Sequence, residues 1–260
     1  MSTPLDRVAI WSALSPAQRA ALSTIHIATE TASTQADALA AEVPAQGCAL
    51  FLAEHQRAGQ GRQGRGWISA PADASLAISL SRRFRTSMAT MSGLSLVAGI
   101  AVAEALDVEG VGLKWPNDLV SDDRKLGGIL VNLRAHPEGE CDAVIGIGIN
   151  LRLPDAAGID QPWTDLARCD AAPESRNALL AALLERLLPA LQTFEAEGLA
   201  PFLERWQRLD AYAGREVRVL AGDRVHEGRL DGITANGALR LRANGEECIF
   251  HSGEVSLRPA

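Results

Sequence analysis

The hydrophobic pattern of this 260-residue chain changes near residue 213, and that change limits the folds it can adopt. Upstream, short apolar runs and helical patterns follow one another without the regular strand–helix–strand repeat of a parallel sheet. Downstream come five short alternating segments, EVRVL, VHEGRL, ALRLR, ECIFH and EVSLR, with Asn-Gly turn signals at 236–237 and 244–245. We therefore predict an α+β domain with a mixed or antiparallel sheet over 1–212 and a small SH3-like β-barrel over 213–260.

Capping signals and apolar runs predict the elements of the larger domain. Ser15 and Ser33 are N-cap residues of two expected short helices, the first lying within the initial 25 residues and the second ending at Glu42. Further helices are expected at 90–106, 175–198 (with a kink at Pro189) and 200–209. Buried strands are expected at 48–53, 76–80, 111–115, 119–120, 128–133 and 143–151, with a hairpin turn at 121–124.

The composition excludes several classes of protein. With 25 Lys and Arg against 32 Asp and Glu, the net charge is −7, which argues against a surface built to bind nucleic acid or anionic lipid. The four cysteines include no CxxC pair and the five histidines have no metal-ligand spacing, which favours a reducing, cytoplasmic location. The longest apolar stretch, 94–106, is too short to cross a bilayer, so we expect no membrane association.

Residues 59–66, GQGRQGRG, form a basic, glycine-rich segment in this acidic chain. Arg57, Arg62 and Arg65 lie in or beside it, and no acidic residue occurs between positions 55 and 73. Glycine lets backbone N–H groups converge, and arginine offers forked donors to phosphate or carboxylate. The segment therefore predicts an anion site, with a mobile solvent loop as the alternative.

The first three glycines of this segment also spell GxGxxG, the fingerprint of dinucleotide-binding folds. That fingerprint has to open a helix, whereas the next expected element here is a strand, so a dinucleotide-binding fold is disfavoured. A single RGG-like tract in an acidic chain gives equally little support to RNA binding. No GxxxxGK[ST] phosphate loop occurs in the sequence.

A second concentration of polar groups is LKWPNDLV, residues 113–120. It places a lysine, an indole, an amide and a carboxylate around a proline that restricts the backbone. If residues 121–124 form a hairpin turn, Lys125 returns towards Asn117, and the glycine pair that follows leaves room for a ligand against the backbone. The alternative is a surface hairpin with ordinary charged residues.

Four motifs, EHQRAGQGRQGRGW, KWPND, RKLGGILVN and VIGIGIN, resemble in order and spacing those of the biotin protein ligases. The similarity also includes STQADAL (33–39), FEAEGLAPFLERWQRLD (194–210) and GEVSLR (253–258). It implies a catalytic domain similar to the class-II synthetases, followed by an SH3-like barrel. Members of the family join biotin to ATP, giving biotinyl-5′-AMP and pyrophosphate, and then transfer biotin to one lysine of the biotin carboxyl carrier protein domain of a carboxylase.

The resemblance also implies roles for individual residues. Biotin-binding roles fall on Ser33, Thr34, Gln35, Gln56, Gly59, Gln60, Gly61, Arg62, Lys125, Gly128 and Gly146. Contacts with ATP or the adenylate fall on Arg65, Lys114, Asn117, Asn150 and Trp163, with Trp163 stacking near adenine. The catalytic residues are Lys125, Arg62, Lys114, Arg65 and Asp118, where Asp118 either helps the acceptor lysine lose its proton or supports Lys114 or the metal. ATP and Mg²⁺ are the implied cofactors, and the metal ligands stay open.

The chain departs from the family pattern in two places. Gln60 and Gln63 stand where the family's glycine loop carries arginines, which lowers the positive charge of the loop and puts any contact that needs a charged side chain at position 60 in doubt. About 25 residues precede the similarity, fewer than the helix-turn-helix with which some members repress genes. We therefore expect a ligase without that module and without nucleic-acid binding.

Two other functions are weighed against this one. A lipoate-type ligase shares the fold and the chemistry, but its glycine-triplet segment is missing here and KWPND is present. A non-catalytic biotin sensor would not need Lys125, Arg62 and Arg65 to neutralise phosphate. The sequence does not distinguish a monomer from a homodimer.

Overall fold

A computed structural model describes residues 3–69, 73–136, 138–155, 159, 161–243, 245–251 and 255–259. Its helices are α1 Arg7–Ala13, α2 Pro16–Ala21, α3 Thr34–Ala40, α4 Leu94–Leu106, α5 Arg176–Glu197 and α6 Leu203–Leu209. Short 3₁₀ helices lie at Arg62–Gly64, Met88–Met91 and Ala200–Phe202. The strands are β1 Leu22–Thr31, β2 Cys48–Gln56, β3 Gly59–Gln60, β4 Gly66–Trp67, β5 Ser75–Phe84, β6 Val111–Lys114, β7 Asp118–Ser121, β8 Arg124–Ala135, β9 Cys141–Asn150, β10 Glu216–Ala221, β11 Arg224–Ile233, β12 Leu239–Ala243, β13 Glu246–Phe250 and β14 Val255–Pro259.

Seven strands form the main sheet, in the order β1-β2-β5-β9-β8-β7-β6. Strands β1 and β2 are parallel, and every other neighbouring pair is antiparallel. The α+β class and the mixed sheet predicted from the sequence are therefore confirmed. The β7–β8 hairpin turns at Asp122 and Asp123, whose positive φ angles of 49° and 60° match a tight two-residue turn at the predicted position.

The two faces of the sheet are set by residue alternation along the strands. In β9, Ile145, Ile147 and Ile149 are buried in the main hydrophobic core, which α4 and α5 cover. Gly146 and Gly148 alternate with them and lie on the opposite face. That opposite face carries α3 at one end and is otherwise free to form a binding surface.

The helix starts agree with the predicted caps. Ser15 caps α2 with a capping box and Ser33 caps α3, as predicted. Ser175 caps α5, a cap that was not predicted, and the helix continues through Pro189 to the C-cap Gly198. The predicted bounds were too long for two helices, because α3 ends at Ala40 and α4 begins only at Leu94. The kink at Pro189 stays a prediction.

Two elements near the N-terminus differ from the prediction. Two short helices occupy this region instead of one, since Asp6 caps α1 through its side chain. Strand β1 was not predicted, because its sequence LSTIHIATET is polar and mostly exposed at the edge of the sheet. Its backbone is held in an extended conformation by parallel pairing with the buried strand β2, and not by an alternating hydrophobic pattern of its own.

The C-terminal strands form a separate antiparallel sheet in the order β13-β12-β11-β10-β14. The turn predicted at 236–237 is present, with Gly237 at φ +79° and its N–H donating to Thr234 O at 2.9 Å. Asn244, in the other predicted turn, lies outside the described residues. Closure of this sheet into an SH3-like barrel and a domain boundary at 212–213 stay predictions.

Hydrophobic contacts join the two sheets. A single hydrophobic cluster includes Ile147 of the main sheet and Val219 and Leu241 of the C-terminal sheet. Among the described helices, none has the length and apolar character needed to span a bilayer.

Candidate functional site

A cavity of about 710 Å³ lies on the free face of the main sheet. Its walls are the glycine-rich segment, the β6–β7 connection, the start of α3 and the segment around residues 159–163. All the site residues predicted from the sequence line it except Gly59: Ser33, Thr34, Gln35, Gln56, Gln60, Gly61, Arg62, Arg65, Lys114, Asn117, Asp118, Lys125, Gly128, Gly146, Asn150 and Trp163. Segments more than 100 residues apart in sequence thus meet in one concave site of ligand size.

Glycines keep the floor of the cavity low. A Cβ atom on Gly148 would lie 2.6 Å from two ring carbons of Trp67, and one on Gly146 would lie 2.5 Å from Gln35 Oε1. In this structure the space above Gly146 therefore accommodates the Gln35 amide. Gly128 is more open, with Lys125 Nζ 3.4 Å from its hypothetical Cβ.

Buried polar side chains form a hydrogen-bonded chain at one end of the cavity. The Thr34 backbone N–H donates to Gln56 Oε1 at 2.8 Å, and Thr34 Oγ1 lies 2.9 Å from Ser79 Oγ. Ser79 Oγ donates to Gln35 Oε1 at 2.9 Å, and Gln35 Nε2 donates to Asn132 Oδ1 at 2.9 Å. These groups are rigid because α3 and three strands hold them from different sides.

The glycine-rich segment is a small hairpin made of β3 and β4 around the 3₁₀ turn. Gly61 N–H donates to Arg65 O at 2.7 Å, and Gln63 has a positive φ of 56°. The segment leads into strands and not into a helix, which confirms that its GxGxxG pattern is not a dinucleotide fingerprint. Gly59 pairs with Trp67, and a Cβ at this position would lie 2.5 Å from Trp67 O, so Gly59 serves the hairpin itself.

Arg62 reaches from this hairpin to the opposite wall. Its Nη1 donates to Asn117 Oδ1 at 3.1 Å, while Asn117 Nδ2 donates to Ile129 O at 2.8 Å. Burial lowers the pKa of the Arg62 guanidinium, Asp118 counteracts this effect, and the neighbouring Arg65 lowers the pKa further. A partly desolvated guanidinium next to another cation is primed to accept an anion.

Positive charge dominates the cavity. Arg62, Arg65, Lys114 and Lys125 line it, and Asp118 is the acidic side chain among the described lining residues. The hairpin was predicted to return Lys125 towards Asn117, and Lys125 Nζ lies 2.7 Å from Oδ1 of the next residue, Asp118. The cavity therefore favours anionic ligands although the chain as a whole carries −7.

The backbone of Lys125 also fixes the segment that carries Trp163. Lys125 N–H donates to Pro162 O at 3.0 Å, and Thr164 N–H donates to Lys125 O at 2.9 Å. Asn150 is buried and its Nδ2 donates to Lys125 O and Thr164 O at 3.3 and 2.9 Å. Its amide group is therefore used to hold Trp163 beside Lys125.

Several cavity residues escaped the sequence reasoning. Trp67 packs across Gly148, and its buried Nε1 has no hydrogen-bond partner in the described part of the chain. Ser79 links two predicted residues, Thr34 and Gln35, but sits in a plain apolar strand that carries no motif. Leu257 comes from β14, and nothing in its local sequence indicates a cavity whose other described lining residues lie between Ser33 and Trp163.

No preformed metal centre is evident. Among the described residues there is no group of three or more His, Cys, Asp or Glu side chains close enough to share an ion. Mg²⁺ commonly binds through one or two carboxylates together with substrate phosphates. Asp118 is the carboxylate available for such a shared site.

The sequence matches two protein families over most of its length. Residues 29–150 match the Biotin/lipoate A/B protein ligase family, and residues 212–258 match the Biotin protein ligase C terminal domain. The first match contains the glycine-rich hairpin and the Lys114–Asp118 segment. The second contains the C-terminal sheet except for its last residue, Pro259.

Two curated relatives show the extent of the similarity. The Bifunctional ligase/repressor BirA of Escherichia coli is 43% identical over 214 residues, covering 80% of this chain and 66% of that protein. This chain thus spans about two thirds of the length of that relative. The Biotin–[acetyl-CoA-carboxylase] ligase of Paracoccus denitrificans is 31% identical over 237 residues, covering 86% of this chain and 97% of that protein.

A solved structure supports the same relationship. The biotin protein ligase from Aquifex aeolicus, in complex with biotin and ATP, superposes with a TM-score of 0.77 at 27% sequence identity. The superposition covers 92% of this chain and 100% of that one. The likeness of fold therefore extends over both sheets.

Proposed function

This chain belongs to the biotin protein ligase family, a family of enzymes, and from that premise we propose that it activates biotin with ATP and attaches it to a carrier protein. The products of the first step are biotinyl-5′-AMP and pyrophosphate. The acceptor is one lysine of the biotin carboxyl carrier protein of a carboxylase. The observation that carries this proposal is the cluster of four cations in a cavity of an acidic chain.

The first step joins two anions and needs no general base. The valerate carboxylate of biotin is ionised at neutral pH, and one of its oxygens attacks the α-phosphorus of ATP. The bond between that phosphorus and the oxygen bridging to the β-phosphate breaks, and pyrophosphate leaves. Arg62, Arg65, Lys114 and Lys125 reduce the repulsion between the two anions and stabilise the charge that builds up on the phosphoryl oxygens.

The two ends of the cavity suit the two substrates. The buried polar side chains of Ser33, Thr34, Gln35 and Gln56 offer donors and acceptors to the ureido ring of biotin. The floor is most open at Gly128, since Gln35 and Trp67 fill the space above Gly146 and Gly148. The wall of Asn117, Asn150 and Trp163 suits the adenosine, with the Trp163 indole as a stacking surface. Lys125 lies between these ends, next to Gly128.

The glycine-rich hairpin has a second role, which is to keep water away from the mixed anhydride. Gln60, Gly61, Arg62 and Arg65 cover the cavity from one side. Because the adenylate is a mixed anhydride, attack by water on its acyl carbon would release free biotin and AMP and so waste one ATP. Gln60 has an amide where the family pattern has a charged side chain, so any contact of this side chain with the bound ligand would be a neutral hydrogen bond.

The transfer step has a different requirement. The amine of the acceptor lysine must lose a proton before its nitrogen attacks the acyl carbon, after which the bond to the phosphate oxygen breaks and AMP leaves. Asp118 is the acidic side chain among the described lining residues of the cavity, and it is therefore the candidate to accept this proton. Its Oδ1 also pairs with Lys125 Nζ. ATP would arrive with Mg²⁺, which reduces the negative charge of the phosphates and would be held by them and by Asp118.

Two measurements test the proposal. We expect biotin-dependent exchange of radioactive pyrophosphate into ATP, and incorporation of biotin into a purified carrier domain that depends on ATP and Mg²⁺. Exchange that lipoate stimulates and biotin does not would favour the lipoate-type ligase. Tight biotin binding without any exchange would favour the sensor.

A further inference from the structure

The Trp163 side chain lies between the cavity and the guanidinium group of Arg168. The guanidinium carbon of Arg168 lies 4.2 Å from the centre of the indole ring, the distance of a direct cation–π contact. Trp163 lines the cavity, whereas Arg168 is not among the described residues that do so. The indole thus has one face covered by the guanidinium, while the residue itself borders the cavity.

Arg168 is held in this position by a set of acceptors. Its Nη2 donates to Asp155 Oδ1 at 2.6 Å, its Nη1 donates to Leu153 O at 3.4 Å, and Nη1 also pairs with Asp165 Oδ2. The guanidinium therefore has little freedom to leave the ring.

Asp165 is the fixed point of this arrangement. Its side chain is 1% exposed, and besides Arg168 Nη1 it accepts the Leu153 N–H at 2.9 Å and the Arg168 N–H at 2.8 Å. A buried carboxylate with several donors is expensive to displace. Its contacts tie the loop after β9 to the segment that follows Trp163.

We propose that Arg168 is a positioning residue that holds the Trp163 indole as a platform for the adenine base, an inference that rests on the proposed function. The guanidinium restricts the rotation of the ring before ATP binds, so less conformational entropy is lost on binding. It also draws π-electron density towards the covered face, which reduces repulsion with an electron-rich purine on the other face. Arg168 acts through Trp163 and does not itself touch the nucleotide.

The first test is Arg168→Met, which keeps a long side chain and removes the charge and the planar stack. The KM for ATP in pyrophosphate exchange should rise roughly three- to ten-fold, with the KM for biotin unchanged. Arg205→Met is the matched control, since Arg205 stacks on Phe202 at 4.9 Å and pairs with Glu104, away from the cavity. This control should leave both KM values at the wild-type level.

A double-mutant cycle with Trp163→Ala separates a positioning role from a direct one. Once the indole is absent, Arg168→Met should cause no further rise in the KM for ATP. A further rise of the same size would mean that Arg168 contacts the nucleotide directly, and the proposal would be wrong. Because Arg168→Met removes ion pairs, its folding is checked by circular dichroism. If it fails to fold, Arg168→Lys decides, with an intermediate KM for ATP expected and a wild-type value contradicting the proposal.

Failure of this inference can be told apart from failure of the proposed function. If the wild-type protein shows no biotin-dependent exchange, the function itself is wrong, and with it the adenine platform. If the wild type is active and Arg168→Met keeps the wild-type KM for ATP, only the role of Arg168 is refuted.

Discussion

At the residue scale, the cations of the cavity differ in how they are held. Lys125 pairs with Asp118, Arg62 is hydrogen-bonded to Asn117, and Lys114 Nζ lies 5.8 Å from the centre of the Tyr212 ring. Each contact fixes the direction of a positive charge before substrate arrives. Fixed charges stabilise a reacting anion without the reorganisation that water would need.

Lys125→Ala should reduce biotin-dependent pyrophosphate exchange by roughly 100-fold or more, because the charge between the two substrate ends is lost. The exchange rate at saturating biotin and ATP is the measurement. Arg57→Ala is the control, because Arg57 neighbours the glycine-rich hairpin but pairs with Glu30 at 3.3 Å and is exposed. Full exchange by Lys125→Ala would remove Lys125 from the reacting centre.

A second residue-scale prediction concerns pH. Asp210 is half-buried after α6, and burial raises the pKa of its carboxyl from the ordinary 3.8 to about 6. The Tyr212 N–H, which donates to this carboxylate, and the nearby Trp206 side chain lower the pKa and so offset part of this rise. The folded state therefore binds the proton more tightly than the unfolded state. This contribution to stability is lost as pH rises from 3.8 to about 6.

Asp210→Asn should remove that pH dependence. Relative to wild type, the free energy of unfolding of the variant should increase between pH 4 and pH 7, as measured by urea denaturation. Asp223→Asn, at an exposed position, is the control, because it shows how the loss of a surface carboxylate by itself changes the free energy of unfolding with pH. A constant difference between Asp210→Asn and wild type over this range would contradict the raised pKa.

At the element scale, strand β9 serves the core with one face and the cavity with the other. The isoleucines of AVIGIGIN pack under the helices, and the intervening glycines leave room for Trp67 and Gln35. A one-residue shift in register would exchange these two roles. The strand must therefore fill the core with one face and leave space on the other, which is why isoleucine and glycine alternate from Ile145 to Ile149.

Gly148→Ala should displace the Trp67 indole, since the new Cβ would lie 2.6 Å from the ring. We expect an overpacking cost of about 1–3 kcal/mol in the free energy of unfolding. Because the displaced indole lines the cavity, the KM for biotin should also rise. Ile145→Val, on the core face of the same strand, should lower the midpoint of thermal unfolding and leave the KM for biotin unchanged. A wild-type KM for Gly148→Ala would show that Trp67 can move without affecting the biotin end.

At the scale of the whole molecule, the C-terminal sheet supports the back of the cavity. Trp115 is 2% exposed and its Nε1 donates to Gly237 O in the β11–β12 turn at 3.0 Å. Ser92 Oγ donates to the neighbouring Asn236 O at 2.7 Å. The turn is thus attached both to the segment that carries Lys114 and to the start of α4.

Trp115→Phe removes the donor and leaves a buried carbonyl without its partner. We expect a loss of about 1–3 kcal/mol in the free energy of unfolding, and a single urea transition because one hydrophobic cluster includes both sheets. Trp11→Phe, on exposed α1, is the control and should be close to neutral. Two separate urea transitions, of which Trp115→Phe shifts only the one that belongs to the C-terminal sheet, would show that the two sheets unfold independently.

Local sequence signals predicted much of the fold. The Ser caps of α2 and α3, the hairpin at 121–124 and the strands of the C-terminal sheet follow from short-range preferences of capping, turn and alternation. Strand β1 did not, because an edge strand with polar residues on its exposed side gains its regularity from its neighbour. The end of α3 and the start of α4 were also missed, since packing and not propensity decides where a helix begins or stops.

The candidate site shows the same division. By itself, the sequence determined the chemistry of the cavity, because its cations, glycines and amides stand in motifs that are short and contiguous. Only the tertiary structure decided which further groups join them: Ser79 between Thr34 and Gln35, Arg168 behind Trp163, and Gly237 behind Trp115. The contacts of Ser79 and Gly237 depend on strand order and on the packing of the two sheets, and no local preference of a residue encodes a partner 45 or 122 positions away.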